Sequence, residues 1–170
     1  MAKSCCFAQC QGPIQAAIRP GLWLPGVRNL HLATETWTIS SSPQAAFDAI
    51  VEAVGSIADE ENLIIRKERK AELYLEIWSY TPYCNWLDIV EIRLHDVQPD
   101  SSTNNETIAE ARSFSSGLFP ACCPLGFIFS SIFFWVPFSG NNFNTHRLEA
   151  IRKAITSAAV TVSDEGPTCC

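Results

Sequence analysis

Cysteines are the residues of this 170-residue chain with the widest chemical range, and eight are present. A cysteine sulfur can act as a nucleophile, bind a metal ion, form a disulfide or carry an acyl group. Three adjacent pairs stand at 5–6, 122–123 and 169–170. Adjacent thiols suit tetrahedral zinc poorly, because structural zinc sites separate their cysteines, and we predict no metal site. Because the N-terminus lacks the apolar run of a secretory signal, a disulfide framework is not expected either.

Cysteines beside apolar or amphipathic segments are candidates for S-acylation, such as palmitoylation. Seven of the eight lie outside the sheet predicted below, and only Cys84 lies close to it. The candidate acylation sites are Cys5, Cys6, Cys10, Cys122, Cys123, Cys169 and Cys170. A terminal Cys-Cys pair is also typical of prenylated Rab-type GTPases. The chain contains no G-x-x-x-x-G-K-[ST] phosphate loop, which weakens that alternative.

The three histidines do not predict a catalytic site. A nucleophile needs a base within hydrogen-bond reach and a further group that orients the base. His95 neighbours Asp96 on a predicted strand, where adjacent side chains point to opposite faces of the sheet. His146 lies with Arg147 and Glu149 in the first turn of a predicted helix, where these side chains are expected to be solvated. We therefore expect a protein that is not an enzyme and that uses no cofactor.

The charge of the chain argues against a nucleic-acid partner. Its formal net charge is −6, whereas phosphate binding needs clustered lysine and arginine. The longest basic cluster, at 66–70, lies between two predicted strands and is expected to be a solvated turn. Arg112 is the one candidate anion contact, because its guanidinium can receive a phosphate or a carboxylate. An ion pair with Glu110, or with a carboxylate on a neighbouring strand, is the simpler interpretation.

The segment LFPACCPLGFIFSSIFFWVPFSG, residues 118–140, carries no charge and is rich in aromatic side chains. At ~2 kcal/mol for each large side chain, exposing a dozen of them would forgo roughly 20 kcal/mol, more than the ~5–15 kcal/mol stability of a typical domain. The segment must therefore be covered by the domain itself, by a protein partner or by lipid. The predicted lipid or apolar-ligand contacts are Phe119, Phe127, Phe129, Phe133, Phe134, Trp135 and Phe138. Its prolines and the shortness of its apolar run argue against a membrane-spanning helix.

The remaining sequence predicts an α+β domain. Alternating residues at 30–39 predict a strand, and an apolar stripe over 42–57 predicts a helix. Further strands are predicted at 63–67, 71–80, 85–97 and 106–114, and a last amphipathic helix at 145–160. Short connections favour antiparallel pairing. We expect an antiparallel sheet of about five strands with two amphipathic helices packed on one face.

Proline and glycine positions predict how the chain is organised. Residues 1–29 contain three Pro-Gly interruptions and are expected to form an irregular N-terminal arm. Residues 30–160 are predicted to form a single α+β domain that carries the apolar insertion 118–140. Residues 161–170 are predicted to be a flexible tail.

Two motifs resemble the family known as domain of unknown function 1499. Members carry Arg-Ser-x-Ser-x-x-Gly on a strand, followed shortly by an Asn-containing start to a basic final helix. In this chain RSFSSG (112–117) resembles the first motif, and NTHRLEAIRKAI (144–155) resembles the second. The resemblance covers roughly residues 34–158 and implies the fold rather than an activity, since the family's function is unsettled. Mostly apolar residues separate the motifs here, where the family has a few polar ones.

These features predict a non-catalytic, membrane-associated domain that binds a lipid or similar apolar ligand through residues 118–140. One acyl chain binds membranes only marginally, so an apolar loop combined with acylation would act as a double signal. The expected location is peripheral, on the cytoplasmic side of a membrane, without secretion. The alternative is a structural or assembly subunit that docks this segment on a membrane-associated protein. The sequence predicts no oligomeric state.

Overall fold

The computed structural model describes residues 5–27, 29–82, 84–96, 106–136, 142–157 and 162–165. Its strands are β1 (Leu30–Ile39), β2 (Leu63–Arg69), β3 (Tyr74–Tyr80), β4 (Leu87–Asp96), β5 (Thr107–Ser115) and β6 (Val162–Glu165). Its α-helices are α1 (Cys6–Ile18), α2 (Pro20–Trp23), α3 (Pro43–Ile57), α4 (Gly126–Ile132) and α5 (Phe143–Ser157). The strands form one sheet in the order β2-β3-β4-β5-β1-β6, with every neighbouring pair antiparallel. The predicted α+β class with an antiparallel sheet is confirmed.

The connection from β1 to β2 crosses most of the width of the sheet, from the fifth strand position to the first. Four strand intervals of ~4.8 Å separate these two strands, a distance of about 19 Å. Helix α3 has 15 residues and is therefore about 22 Å long. It begins at Pro43, where the Ser42 hydroxyl accepts the Ala45 N–H. A single helix of this length can therefore carry the chain across one face, after which β2 to β5 lie side by side in chain order.

The main hydrophobic core lies between α3, α5 and one face of the sheet, as predicted for the two amphipathic helices. Alternate strand residues point into it. Its largest fully buried side chains include Trp37, Phe47, Ile50, Leu75, Ile77, Ile92, Leu148 and Ile151. These side chains occupy the space between the helices and the sheet.

The predicted irregular arm is wrong for residues 6–18, which form α1 despite Pro13 inside it. The helix is capped by the Cys5 sulfur, which accepts the Ala8 N–H at 3.3 Å. At Gly12 the helix backbone approaches the Tyr80 hydroxyl so closely that a Cβ would collide with it. That hydroxyl also donates to the Ala8 carbonyl. Contacts with a distant strand therefore outweigh the local helix-breaking tendency of proline and glycine.

The predicted flexible tail is also wrong in part. Residues Val162–Glu165 form β6, which pairs antiparallel with β1 from Ile39 to Thr36. The four residues VSDE contain too little alternation to predict a strand. They pair because β1 has a free edge beyond β5, and an unpaired strand edge is a template for pairing. Residues 161 and 166–170 lie outside the described residues.

Candidate functional site

The second face of the sheet is covered in part by residues 5–24 and 118–136, which we call the outer layer. Small side chains from this layer, Ala8, Ala16 and Ala121, are buried against the sheet. They belong to a second hydrophobic cluster with Trp78, Tyr80, Leu87, Ile89 and Phe114. The inner side of the apolar segment is therefore packed on the domain.

Glutamines of α1 hold the irregular part of the apolar segment. Gln11 Nε2 donates to the carbonyls of Ala121 at 3.3 Å and Cys123 at 3.1 Å. Gln15 Nε2 donates to the Phe119 carbonyl at 3.2 Å. Each such bond stabilises by about 1 kcal/mol, and the carbonyl left without it would incur a larger desolvation cost. The turns between β5 and α4 thus obtain three of their hydrogen bonds from α1.

Helix α1 consequently buries glutamine side chains, which is the reverse of an ordinary amphipathic helix. Its buried side consists of Ala8, Gln11, Gly12, Gln15 and Ala16. The exposed positions include Cys6, Phe7, Cys10, Ile14 and Ala17. A surface helix of a globular protein normally places its apolar stripe inward. Here the amides of Gln11 and Gln15 face the protein, and the large apolar side chains of Phe7 and Ile14 face outward.

Most exposed large apolar side chains of the described residues belong to the outer layer. There are ten of these: Phe7, Ile14, Leu22, Trp23, Leu125, Ile128, Phe129, Ile132, Phe133 and Trp135. Only three others, Leu32, Ile64 and Phe143, lie elsewhere among the described residues. Scattered exposed apolar residues are normal, but such a concentration marks an interaction surface.

The outer layer contains a single charged residue, Arg19, and it points inward. Its side chain is only 11% exposed, and its Nη2 donates to Glu91 Oε1 at 3.1 Å. Its guanidinium also lies 4.8 Å from the centroid of the Phe114 ring, a cation–π contact. The outward side of the outer layer therefore presents no charge.

The aromatic residues predicted to contact lipid occupy different depths. Phe129, Phe133 and Trp135 are exposed, and Trp135 is the most exposed at 69%. Phe119, Phe127 and Phe134 are half-buried. The ring of Phe119 packs against those of Phe129 and Phe133, with centroid distances of 5.8 and 6.3 Å. Phe138 lies outside the described residues.

The predicted acylation cysteines fall into two groups. Cys6 and Cys10 are exposed on α1, whereas Cys5, Cys122 and Cys123 are half-buried. Cys169 and Cys170 lie outside the described residues. No three cysteine, histidine or carboxylate side chains of the described ranges are arranged to hold a metal ion.

Cys84 was not among the predicted acylation cysteines, but the loop that contains it contacts the half-buried Cys122. The Cys122 thiol donates to the Cys84 carbonyl at 3.0 Å, and the Ala121 N–H donates to the Asn85 carbonyl at 3.0 Å. Burial, followed by the neighbouring Cys5, raises the pKa of the Cys122 thiol. This thiol is therefore a weaker nucleophile than an ordinary cysteine at neutral pH.

Arg112 lies beside a carboxylate of the neighbouring strand β4, and that carboxylate also pairs with Arg19 of the outer layer. Arg112 stands opposite Glu91 in the β4–β5 register, with its Nε 3.7 Å from Glu91 Oε2. The side chain is 44% exposed. The geometry therefore matches the simpler interpretation, an ion pair with a neighbouring strand, although the partner is Glu91 and not Glu110.

A second polar cluster on this face surrounds the buried carboxylate of Glu76. Lys67 Nζ donates to Oε2 at 2.8 Å, and Trp78 Nε1 donates to Oε1 at 2.9 Å. Burial alone would raise the pKa of Glu76, but these hydrogen bonds outweigh it and hold the pKa below its usual value.

The two motifs that carry the family resemblance meet in a buried polar network. Ser113 Oγ donates to Asn144 Oδ1 at 2.7 Å. Arg147 Nη1 donates to Asn144 Oδ1 at 3.2 Å and to Asp88 Oδ2 at 3.0 Å. The side chains of Arg147 and Asp88 are only 8% and 4% exposed. The network joins the start of α5 to β4 and β5. Sequence reasoning did not identify Asp88, and its expectation of a solvated Arg147 is wrong, because Arg147 is buried against Asp88.

Ser115 and His31 extend this network without forming a catalytic triad. Ser115 Oγ donates to Asp88 Oδ1 at 2.7 Å, and His31 Nδ1 lies 3.3 Å from Ser115 Oγ. In a triad the histidine stands between the serine and the carboxylate and accepts the serine proton. Here the Ser115 hydroxyl donates directly to the carboxylate, and the histidine does not stand between them. The arrangement does not activate Ser115 through His31.

No family model matches the chain, and no curated protein matches its sequence.

None of the helices in the described parts of the chain has the length and apolar character needed to cross a membrane.

Proposed function

We propose that this protein is a non-catalytic, membrane-associated domain whose outer layer lies against a lipid surface. One observation carries the proposal: the outer layer exposes ten large apolar side chains and directs its single charged residue inward. The aromatic side chains include Trp23 and Trp135, at 59% and 69% exposure. Tryptophan is enriched at the boundary between lipid headgroups and acyl chains.

The exposed apolar area is large enough for reversible membrane binding. Ten side chains exposing ~100 Å² each represent about 25 kcal/mol at ~25 cal/mol per Å², an upper estimate. Burying a third of that area would contribute about 8 kcal/mol, the free energy that corresponds to a micromolar Kd. Shallow insertion of the outer layer is therefore sufficient.

The hydrogen bonding of the outer layer supports contact with lipid. Irregular backbone is tolerated near the acyl region only where its polar groups find partners within the protein. Gln11, Gln15 and Trp86 donate to carbonyls of the segment between Leu118 and Cys123. The turns that precede α4 therefore have protein partners and need no water at those carbonyls.

The proposed contact is with a lipid surface rather than with a lipid held in a cavity. The crevice between Arg19, Asn29, Ser115 and Phe134 has room for about one water molecule, which is too small for an acyl chain. Large side chains occupy the space between the sheet and the helices α3 and α5. We place the contact at the cytoplasmic leaflet, where reducing conditions keep thiols free.

Electrostatics distinguishes this surface from a basic amphipathic helix. Anionic lipids attract lysine and arginine by about 1 kcal/mol for each residue near the membrane. The outer layer presents no cation, and the chain carries a net charge of −6. We therefore expect binding to neutral phosphatidylcholine vesicles at least as strong as to vesicles that contain phosphatidylserine, with little dependence on salt.

Vesicle flotation of the full-length protein tests the proposal. The wild-type protein should float with phosphatidylcholine vesicles, and Ile132→Asp should remove most of the bound fraction, because a carboxylate would enter the acyl region. Phe143→Asp is the matched control, since Phe143 is 53% exposed but lies outside the outer layer. Folded wild-type protein that stays in the buffer with every vesicle type would refute lipid binding and favour docking on a protein partner.

A further inference from the structure

We propose that Cys6 and Cys10 form a paired S-acylation site, a proposal that rests on the membrane function above. Both thiols are exposed on α1. They are four residues apart, so they lie on the same side of the helix, separated by about 6 Å along its axis. Phe7 and Ile14 are exposed on this same side. Acyl chains attached to the two sulfurs would leave the protein in the direction of its apolar side chains.

The structure separates this pair from the other described cysteines of the outer layer. The Cys5 sulfur accepts the Ala8 N–H as the cap of α1 and packs against the second hydrophobic cluster. The Cys122 thiol donates to the Cys84 carbonyl, and Cys123 is half-buried. Modifying any of these three would disturb packing or a hydrogen bond, whereas Cys6 and Cys10 can accept a chain without rearrangement.

The reaction transfers a fatty acyl group from the thioester of acyl-coenzyme A to a cysteine thiol, which becomes a new thioester. The deprotonated cysteine sulfur attacks the carbonyl carbon of a fatty acyl-coenzyme A and forms a new thioester bond. The bond between that carbon and the sulfur of coenzyme A breaks, and coenzyme A leaves as a thiol after it takes up the proton that the cysteine lost. No oxidation or reduction occurs. The outer layer offers no outward-facing charged group to deprotonate the cysteine, so an acyltransferase must supply the base.

Pairing explains why two cysteines would stand one turn apart. A single acyl chain gives only marginal, reversible membrane binding, with an association constant of about 10⁴ M⁻¹. Stable attachment needs a second signal. Two chains on one helix side, together with the exposed apolar side chains, would make attachment resistant to a high-pH carbonate wash.

The test counts acylated cysteines in the full-length protein isolated from its own cells. Free thiols are blocked, thioesters are cleaved with hydroxylamine, and each released thiol receives a mass tag. Wild-type protein should carry two more tags than Cys6→Ser/Cys10→Ser, whereas Cys5→Ser/Cys122→Ser should match the wild type. The serine variants of the exposed pair are expected to unfold at the wild-type denaturant concentration, which separates a lost site from a lost fold.

Two results would overturn the proposal: wild-type protein without hydroxylamine-dependent tags, or a Cys6→Ser/Cys10→Ser variant with an unchanged number of tags. Unmodified protein made in bacteria separates this proposal from the proposed function. If that protein floats with vesicles while the native protein lacks tags, lipid binding stands and the acylation site is rejected. If the native protein carries the two tags but unmodified protein does not float, the acyl chains are the anchor and the apolar surface is not.

Discussion

Replacement of Trp135 by alanine provides a quantitative test of the lipid-facing surface. A tryptophan side chain presents ~250 Å², and Trp135 is 69% exposed, which leaves about 170 Å² in contact with water. At ~25 cal/mol per Å², complete transfer of this area into lipid would contribute about 4 kcal/mol. Half-insertion at the headgroup boundary would contribute about 2 kcal/mol. We therefore expect Trp135→Ala to weaken vesicle partitioning by roughly 30-fold.

The same substitution should leave folding almost unchanged, because most of the side chain makes no contact with the protein. We expect the free energy of unfolding to shift by less than about 0.5 kcal/mol, as is usual for surface positions. Partitioning is measured by titrating phosphatidylcholine vesicles, and stability by chemical denaturation. Phe143→Ala serves as the control and should bind like the wild type. Equal partitioning of wild type and Trp135→Ala, both folded, would show that this part of the outer layer does not contact lipid.

Three further predictions concern the architecture that supports the surface. Asp88→Ala should lower the free energy of unfolding by about 3–5 kcal/mol, because Arg147 would remain buried without its carboxylate. In chemical denaturation, Asp88→Ala/Arg147→Met should recover part of this loss. An equal loss of stability in both variants would contradict the reasoning. Gly117→Ala should destabilise the protein by about 1–3 kcal/mol and speed proteolysis within α1, since a Cβ would lie 2.6 Å from Ser130 Cβ. Unchanged cleavage of α1 would show that the outer layer tolerates the methyl group. The donors around Glu76 lower its folded pKa, so the stability they confer is present above the unfolded pKa of ~4.3 and is lost as pH falls through the folded value. In urea denaturation, Glu76→Gln should therefore lose less stability than the wild type on acidification below about pH 4.5. Parallel losses of stability in the two proteins would refute the assignment.

The inversion of α1 links the architecture to the proposed function. A helix that turns glutamines inward and apolar side chains outward gains little from facing water. It is maintained because Gln11 and Gln15 supply donors to carbonyls of the apolar segment. The same contacts place Cys6 and Cys10 on the outward side. Hydrogen bonding within the outer layer and apolar exposure at its surface are therefore consequences of one arrangement.

Local periodicity was sufficient to predict most of the sheet and both helices of the main core. The helix predicted at 42–57 is α3, because its cap, its proline at the first position and its apolar stripe are all encoded within a few neighbouring residues. The strand predicted at 71–80 begins later, at Tyr74, because Lys70–Glu72 form a 3-10 turn and Leu73 adopts a left-handed conformation. Alternation continues through such a turn, so the pattern alone does not mark the strand boundary.

The failures have a common physical cause, since each depends on contacts between residues far apart in the chain. Helix α1 was missed because Pro13 and Gly12 disfavour a helix locally, while Tyr80 and the second hydrophobic cluster stabilise it. Strand β6 was missed because VSDE has no strand pattern of its own and is extended through its pairing with β1. The ion pair of Asp88 with Arg147 joins residues separated by 59 positions.

The sequence by itself determined the α+β class, the two helices that cover one sheet face, and the need to cover a charge-free aromatic segment. Composition and periodicity suffice for these, because the hydrophobic effect acts on each side chain according to its type and spacing. The tertiary structure alone decided which side of that segment is exposed. Gln11 and Gln15 lie 110 and 104 positions away from the carbonyls of Ala121 and Phe119 that they bond. Such hydrogen bonds depend on the folded distance between two groups, which no local pattern encodes.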